Sequence, residues 1–286
     1  MKTIPAVLML LLLAGCASGP RIDTSYSSTG HDSRAQFIIL HYTSTDLPRS
    51  LQLLSGRDVS SHYLIGETPA TIYRLVDENR RAWHAGESEW NGRTWLNATS
   101  IGIELVNRGY VESADGRRLW YPYSEEQIDA LVVLLKDIMA RHDLKPGAII
   151  GHSDIAPQRK VDPGPLFPWK RLAKEGLLPW PDADAVAAER MRYASAGLPT
   201  ITWFQNALAA QGYRVPRHGH LDDETRNVIA AFQMKYRPAR FDGEPDAETA
   251  AMLQVLGNQA GALTQQRVVP ISLESASAAL RCSAAA

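Results

Sequence analysis

Residues 151–164, with the sequence GHSDIAPQRKVDPG, decide how we interpret the fold of this chain. They carry His152, Lys160 and Asp162 on a stretch interrupted by two prolines and a glycine, which predicts an ordered loop rather than a helix or a strand. The apolar residues 148–150 before it predict a buried strand, so His152 would lie where that strand ends. Functional side chains are often found on loops held by a rigid scaffold. This loop therefore predicts part of a site whose other residues lie elsewhere in the chain.

Two further predicted strands carry polar side chains. Residues 36–43 form an apolar run with His41 near its end. Residues 100–107 alternate in character, which places Glu104 on the face opposite the large aliphatic side chains. A carboxylate in such a strand is costly to bury unless it is paired, hydrogen-bonded or near a metal. Glu104 thus indicates either a functional site or a salt bridge to an arginine such as Arg80.

The remaining elements of the first half predict an α/β fold with a mixed central sheet covered by helices. Residues 124–142 have helical spacing and begin with a predicted capping box of Ser124 and Gln127. Residues 62–65 and 71–76 flank a turn-rich segment and predict a hairpin. Strands, helices and a hairpin that alternate along the chain are typical of such a mixed sheet.

The second half predicts a small all-α domain of three helices. Residues 179–197 combine proline, alanine and charge, which predicts a linker, and the three helices follow within residues 198–257. The sequences DDET at 222–225 and DAET at 246–249 form a near repeat, and each would place acidic residues at a helix N-terminus. Residues 258–286 are assigned to a tail.

The N-terminus predicts export and lipidation. The apolar run at 4–13 is too short for a stable membrane-spanning helix and predicts a signal peptide over residues 1–15. Its Leu-Ala-Gly-Cys ending resembles a bacterial lipobox, which implies lipids on Cys16 and a tether over residues 16–34. Ala17 after the cysteine implies a lipid anchor in the outer membrane, with the protein facing the periplasm. An ordinary secretory signal with a chance cysteine is the alternative.

Composition excludes other classes of protein. Lys and Arg number 30 against 31 Asp and Glu, so the net charge of -1 offers no basic surface for nucleic acid. The two cysteines, Cys16 and Cys282, lie near opposite ends of the chain and fit neither a disulfide framework nor a zinc finger. A chain of 286 residues is long enough for one large or two modest domains.

The polar residues at the strand ends can be combined into a zinc site. A catalytic zinc typically has three protein ligands from histidine and carboxylate, and His41, His152 and Asp162 would provide them. A zinc-bound water becomes a nucleophile near neutral pH. Glu104 could then transfer its proton to a leaving amine as a general base and acid, and Lys160 could stabilise the oxyanion.

Five ordered phrases resemble the zinc-dependent N-acetylmuramoyl-L-alanine amidases, a family that includes phage amidases and the peptidoglycan recognition proteins. These phrases lie at residues 39–43, 61–65, 83–86, 100–104 and 151–164. The resemblance implies an amidase catalytic domain over residues 35–178, with one Zn²⁺ on His41, His152 and Asp162. It also implies that Glu104 and Lys160 assist catalysis.

The same resemblance implies the reaction and the substrate. The family cuts the amide bond between the lactyl group of N-acetylmuramic acid and L-alanine, and the helical domain resembles a peptidoglycan-binding module. The alternative is a lipoprotein that binds peptidoglycan without cutting it. In both cases we expect a monomer that binds peptidoglycan or muropeptides.

Loop side chains near the predicted site suit a groove for a sugar or a peptide, although aromatic residues in loops are also common packing anchors. The residues that we expect to contact substrate are His62, Trp83, His84, Trp90 and Arg159. Asp154, by contrast, is expected to bond the backbone of its own turn, as loop aspartates commonly do.

Overall fold

The computed structural model of the chain describes residues 20–266, which belong to two units, Met1–Asp32 and Ser33–Ala286. Residues 20–32 of the first unit contain neither helix nor strand. The predictions for the signal peptide, for the lipid on Cys16 and for the chain beyond residue 266 lie outside the described residues. Among the helices that are described, none has the length and apolar character needed to cross a membrane.

A five-stranded mixed sheet forms the centre of the second unit. Its strands are β1 (Phe37–Tyr42), β2 (Tyr63–Ile65), β3 (Ile72–Arg74), β4 (Ser100–Leu105) and β7 (Ile149–Gly151), while β5 (Tyr110–Glu112) and β6 (Arg118–Trp120) form a separate hairpin. The sheet order is β3-β2-β4-β1-β7, and all neighbours are parallel except β2 and β3, which form the predicted hairpin.

Helices surround the sheet and form the C-terminal part of the described residues. They are α1 (Leu47–Leu54), α2 (Leu96–Thr99), α3 (Glu125–Arg141), α4 (His152–Ile155), α5 (Trp169–Lys174), α6 (Ala183–Ala196), α7 (Ile201–Ala210), α8 (Asp223–Tyr236) and α9 (Ala247–Gln266). The predicted α/β fold with a helical C-terminal region is therefore confirmed.

The sheet separates two apolar cores because successive side chains of a strand point to opposite faces. Ile38 of β1 packs with α3 in one core. Ile39 belongs to the other core, together with Phe232 of α8. The parallel register places His41 beside Glu104, and His41 lies two residues beyond Ile39 on the same face. The C-terminal helices thus cover the face that carries both of these polar residues.

Helix α3 begins where predicted, but its capping box is only half formed. The hydroxyl of Ser124 accepts a hydrogen bond from the amide of Gln127 at 3.1 Å. The side chain of Gln127 does not return to the cap; it donates to the carbonyl oxygens of Ile65 and Val106 at 3.1 and 3.0 Å. The reciprocal half of the predicted box is wrong because this fully buried amide instead ties α3 to the ends of β2 and β4.

The segment predicted as a linker contains helix α6. Val186 and Tyr193 of α6 are buried in the same core as the apolar residues of α9. This packing makes α6 an additional helix beside the three that were predicted. Its sequence is rich in alanine and charge, so the sequence shows little of the apolar spacing by which the other helices were recognised.

The two copies of the predicted near repeat make the same contacts. Each copy has a buried glutamine, a loop glycine, an aspartate cap and a threonine: Gln205, Gly219, Asp222 and Thr225 in the first, and Gln233, Gly243, Asp246 and Thr249 in the second. In both copies the aspartate accepts from the threonine amide at 2.8 Å, and the glutamine donates to the threonine hydroxyl at 3.0 Å. These bonds set the turns between α7, α8 and α9.

A charged cluster around Glu78 fixes the C-terminal end of α3 to the sheet. The carboxylate of Glu78 accepts hydrogen bonds from Arg141 at 2.9 Å, from His142 at 2.8 Å and from Tyr63 of β2 at 2.7 Å. Its side chain is only 12% exposed. Burial alone would raise the pKa of Glu78, but these partners lower it to about 2.

Replacing Glu78 by glutamine is expected to lower the free energy of unfolding by about 1–2 kcal/mol at neutral pH, because charge-assisted hydrogen bonds are lost. The pKa of Glu78 is about 2 in the folded protein and about 4.3 in an unfolded chain. Its stabilising contribution is therefore complete above the unfolded value and is lost as the pH falls toward the folded one.

Thermal unfolding of the wild type and of Glu78→Gln at about pH 7, 5 and 3 measures this difference, which should shrink at the lowest pH. The control is Glu175→Gln, because Glu175 forms an exposed ion pair with Lys136 and should contribute little. A stability difference that stays constant down to the lowest pH would contradict the role of the Glu78 charge.

Candidate metal and active site

Three polar side chains from separate elements converge where β1 and β7 end. His41 lies near the end of β1, His152 begins α4 directly after β7, and Asp162 follows in the next loop. The Nδ1 atom of His41 is 2.9 Å from Nδ1 of His152 and 3.2 Å from Oδ2 of Asp162. Nδ1 of His152 is 3.0 Å from the same carboxylate oxygen. The predicted ligand residues are thus brought together, and all three are buried.

This set of donor atoms fits a zinc ion. Zinc binds imidazole nitrogen and carboxylate oxygen at about 2.0–2.2 Å in a tetrahedron, which places the donors about 3.3 Å from one another. Burial lowers the pKa of His41 to about 4, with the neighbouring His152 adding to the effect, so the His41 ring is neutral as a metal ligand must be. Burial alone would raise the pKa of Asp162, but the two histidines hold it well below its usual range.

The segment 151–164 contains one helical turn, where we predicted only loop. The carboxylate of Asp154 accepts a hydrogen bond from the amide of Gly151 at 2.9 Å and so caps α4 at its start, which confirms its predicted bond to its own turn. The amide of Ser153 donates to the carbonyl oxygen of Asp162 at 2.8 Å. This compact turn explains how a histidine and an aspartate ten positions apart come to share one point.

Hydrogen bonds on the far side of both histidine rings direct their Nδ1 atoms to this point. Nε2 of His152 donates to the carbonyl oxygen of Ala85 at 3.2 Å, because a carbonyl can only accept, and this leaves a lone pair on Nδ1. Nε2 of His41 lies 3.0 Å from Nδ1 of His84. Nε2 of His84 in turn lies 3.3 Å from the hydroxyl oxygen of Ser100.

The hydroxyl of Ser100 determines which atoms donate and which accept in this series of hydrogen bonds. The hydroxyl of Ser100 donates to the carbonyl oxygen of Leu96 at 2.6 Å, so its oxygen is free to accept from His84. Burial keeps the pKa of His84 well below its usual range, and the ring is therefore neutral. With its proton on Nε2, His84 accepts at Nδ1 from His41. This arrangement holds His41 in the tautomer that a metal ligand through Nδ1 needs.

Gly102 makes room for His84 against β4. A Cβ atom at this position would lie 2.5 Å from the His84 ring, which is closer than side chains approach. Gly102 and Ser100 were not among the predicted site residues. The one available signal was a glycine inside a buried strand, which often marks the close approach of another group.

Glu104 points into the site without a partner. Its Oε2 atom is buried and makes no hydrogen bond to the described residues. Burial raises the pKa of Glu104 to about 8; the charge of Asp162 adds to the rise and that of Lys160 opposes it. Within residues 20–266 no arginine forms an ion pair with it, so the salt-bridge alternative has no support there. A half-buried carboxyl group with a buried, unpaired oxygen indicates a functional role.

A cavity of about 370 Å³ opens over these groups. Its lining includes His41, His152, Asp162, Glu104, Lys160 and Trp83. Trp83 is 49% exposed and forms part of the wall. Arg159 also lines the cavity, and its guanidinium donates to the carbonyl oxygens of Ala85 and Glu87 at 2.5 and 2.6 Å. Arg159 thereby holds the loop behind His152 in place.

Two of the predicted substrate contacts lie away from this cavity. His62 is fully buried, and its Nδ1 accepts a hydrogen bond from the amide of Gly102 at 3.0 Å. Trp90 is buried and packs edge-on against Tyr213, with ring centroids 4.9 Å apart. These positions give both residues structural roles and do not support a substrate contact. The predicted contacts that line the cavity are Trp83, His84 and Arg159.

Comparison with known proteins identifies the family. The N-acetylmuramoyl-L-alanine amidase family matches residues 31–165, and a peptidoglycan binding domain family matches residues 198–253. AmiD of Escherichia coli is 44% identical to this chain over 265 residues, which cover 86% of this chain and 94% of AmiD. The chain belongs to the N-acetylmuramoyl-L-alanine amidase family. The family predicted from the five sequence phrases is confirmed.

Solved structures support the same assignment. The structure of E. coli AmiD in complex with its substrate, anhydro-N-acetylmuramic acid-L-Ala-D-γ-Glu-L-Lys, matches this amidase with a TM-score of 0.77 at 43% identity, covering 85% of this chain and 96% of AmiD. AmpDh3 from Pseudomonas aeruginosa, in complex with an anhydromuramic pentapeptide, matches with a TM-score of 0.77 at 39% identity, covering 84% and 98% of the two chains.

Replacing His84 by leucine is expected to weaken zinc binding to this amidase by about 10–100-fold, because the Nε2 proton of His41 loses its acceptor. Competition with a chromophoric chelator measures the zinc affinity. The control is His142→Leu, which removes a hydrogen-bonded histidine from the Glu78 cluster and should leave zinc binding unchanged. Wild-type zinc affinity in His84→Leu would exclude this role for His84.

Proposed function

We propose that this amidase uses a zinc ion held by His41, His152 and Asp162 to hydrolyse the amide bond between the lactyl group of N-acetylmuramic acid and L-alanine, in peptidoglycan or in muropeptides. The main support is one observation: these three buried side chains line the same cavity as Glu104, a carboxyl group that has no partner in the described residues. Family membership and the muropeptide complexes of AmiD and AmpDh3 support this class of substrate.

The zinc ion and the residues around its three ligands have different roles in the reaction. A bound zinc ion would acidify a water molecule and polarise the carbonyl group under attack. Glu104 accepts the proton of the attacking water and returns it to the nitrogen of L-alanine as that nitrogen leaves. Burial raises the pKa of Glu104 above its ordinary value, and the positive charge of a bound zinc ion would lower it again, so that the carboxylate can accept a proton near neutral pH. Lys160 supplies a positive charge to the developing oxyanion.

Two cavity residues are proposed to bind the substrate. The half-exposed ring of Trp83 offers a flat apolar surface to a sugar ring or to the lactyl group. Arg159 uses Nε and Nη2 to hold backbone carbonyls, and its Nη1 makes no hydrogen bond to the described residues. This remaining nitrogen can donate to a carboxylate of the stem peptide.

The other parts of the chain are proposed to bring the enzyme to its substrate. Membership of residues 198–253 in a peptidoglycan binding domain family supports a contribution of the helical domain to wall binding. The lipobox-like sequence supports a signal peptide over residues 1–15 and lipids on Cys16. We therefore propose a monomer that is anchored in the outer membrane and faces the periplasm, with residues 16–34 as its tether.

Mass spectrometry of the products from a defined muropeptide tests the reaction. The detergent-solubilised full chain is incubated with the muropeptide and zinc, and then again with a chelator. We expect a free stem peptide that begins with L-alanine, and only when metal is present. Intact muropeptide retained on the protein would favour the binding-only alternative. A shortened stem peptide with L-alanine still joined to the muramic acid would show that the enzyme cleaves a different bond.

Glu104→Gln is the matched variant in the same assay, because glutamine keeps the shape of the side chain and removes the proton acceptor. We expect it to bind zinc like the wild type and to lose at least about 100-fold in kcat. His152→Ala should lose both zinc and activity, since it removes a ligand. Full activity in Glu104→Gln would exclude Glu104 as the general base.

Lipid anchoring requires a separate test. Cys16→Ala is expected to move the protein from the membrane fraction to the soluble fraction, because the acylated side chain is lost. Hydrolysis of a soluble muropeptide should not change, since Cys16 is not among the residues proposed to bind zinc or substrate. Cys282→Ala is the control and should stay with the membrane. Identical fractionation of the wild type and Cys16→Ala would overturn the proposed anchor.

A further inference from the structure

The helical domain contributes a buried cation to the metal-bearing segment. Lys235 lies near the end of α8 and is 7% exposed. Its Nζ atom donates to Oδ2 of Asp154 at 2.8 Å, and Asp154 is 1% exposed. Asp154 belongs to α4, the single turn that begins with the proposed ligand His152. A side chain 81 positions away along the chain therefore neutralises an aspartate of the metal-bearing turn.

Asp154 joins the helical domain to the start of α4. Its Oδ1 atom accepts a hydrogen bond from the hydroxyl of Tyr213 at 2.7 Å, and Tyr213 is also buried. Its Oδ2 atom accepts from Lys235 and from the amide of Gly151, the residue that precedes His152. One carboxylate thus holds two side chains of the helical domain and the backbone beside the ligand.

A second contact connects Lys235 to the same backbone. The Nζ atom of Lys235 lies 4.4 Å from the centre of the Trp169 ring, a distance typical of a cation–π contact. Trp169 packs so closely against Gly151 that a Cβ atom there would lie 3.2 Å from its ring. Lys235 is therefore held between the carboxylate of Asp154 and an aromatic ring, both of which fix the position of Gly151.

Holding the two parts of the chain together does not require this ion pair. The apolar core that contains Ile39, Ile150 and Phe232 already buries the helices against the sheet. A buried ion pair contributes little net stability, because the cost of desolvating both charges offsets their attraction. Its distinctive effect is to restrict geometry, since either charge left alone would be costly.

We propose that Lys235 and Tyr213 are positioning residues for the metal site. They hold Asp154, and Asp154 fixes the turn on which His152 presents its Nδ1 atom. The domain that matches a peptidoglycan binding family is thereby also a part of the metal-binding structure. This inference rests on the zinc site of the proposed function.

Lys235→Met tests the proposal in the full chain, because methionine keeps most of the side-chain volume and removes the charge. We expect the zinc affinity, measured by chelator competition, to fall about tenfold or more. We also expect kcat to fall while KM for a muropeptide stays near its wild-type value, since Lys235 does not line the catalytic cavity. Tyr213→Phe should have a smaller effect in the same direction.

A matched control comes from the same end of α8. Arg237 pairs with Asp246 at 2.6 Å and is similarly buried, but it makes no hydrogen bond or ion pair to α4 in the described residues. Arg237→Met is expected to lower the thermal stability and to leave the zinc affinity unchanged. If Lys235→Met and Arg237→Met lose similar stability and both bind zinc like the wild type, Lys235 is only structural and the proposal is overturned.

A double variant tests whether the effect runs through Asp154. Asp154→Asn combined with Lys235→Met removes both charges, so no uncompensated charge remains buried. It is compared with Asp154→Asn alone, and we expect Lys235→Met to weaken zinc binding less in the Asp154→Asn background than in the wild type. The same loss in both backgrounds would show that Lys235 does not act through the Asp154 carboxylate.

Amide hydrogen exchange can test the positioning role separately from the proposed function, because it needs neither zinc nor activity. If the wild type binds no zinc, the proposed function fails, and the positioning role is then judged in the metal-free protein. The amides of Ser153 and Ala156 are hydrogen-bonded in the structure and report the order of the turn. Their exchange should be faster in Lys235→Met and unchanged in Arg237→Met. Equal exchange in the two variants would overturn the positioning role.

Discussion

The site depends on holding two imidazole lone-pair atoms and a carboxylate oxygen close together on side chains that are largely buried. The Nδ1 atoms of His41 and His152 are 2.9 Å apart, and Oδ2 of Asp162 lies within 3.2 Å of both. Atoms that only accept hydrogen bonds repel one another at this distance unless a cation lies between them. The fold must therefore impose the arrangement, through parallel strand register, a tight turn, and bonds to the far side of each ring.

Strand position predicted that His41 and His152 lie together, whereas Asp162 was assigned from its place on the loop after His152 and from the family resemblance. Parallel strands end at the same edge of a sheet, so polar residues at the ends of two buried apolar runs, such as His41 and His152, are brought together. Alternation along β4 likewise indicated that Glu104 lies opposite the aliphatic core. The partners of these residues were harder to predict. The role of His84 depends on Gly102 and Ser100 packing beneath its ring, and no spacing in the sequence encodes that contact.

In the helical domain, too, local structure could be predicted from the sequence but long-range contacts could not. Its three principal helices follow from apolar spacing and, for α8 and α9, from acidic caps, which are local signals. Helix α6 was not predicted, because alanine and charged residues dominate its sequence. Only its packing against α9 shows that Val186 and Tyr193 are core residues. The turn-capping role of Asp154 was also local and predictable. Its bonds to Tyr213 and Lys235 span 59 and 81 positions, a distance at which pattern carries no information.

The topology also explains why the helices of the C-terminal region lie against the proposed metal site. Ile39 and His41 lie two positions apart on one face of β1, so whatever covers Ile39 also adjoins the site. The apolar cover is supplied by helices of the domain that matches a peptidoglycan binding family. Burial of that face is strongly favourable but has no direction of its own. Lys235 and Tyr213 make directional contacts, because their hydrogen bonds to Asp154 restrict how the helices can lie against the turn that carries His152.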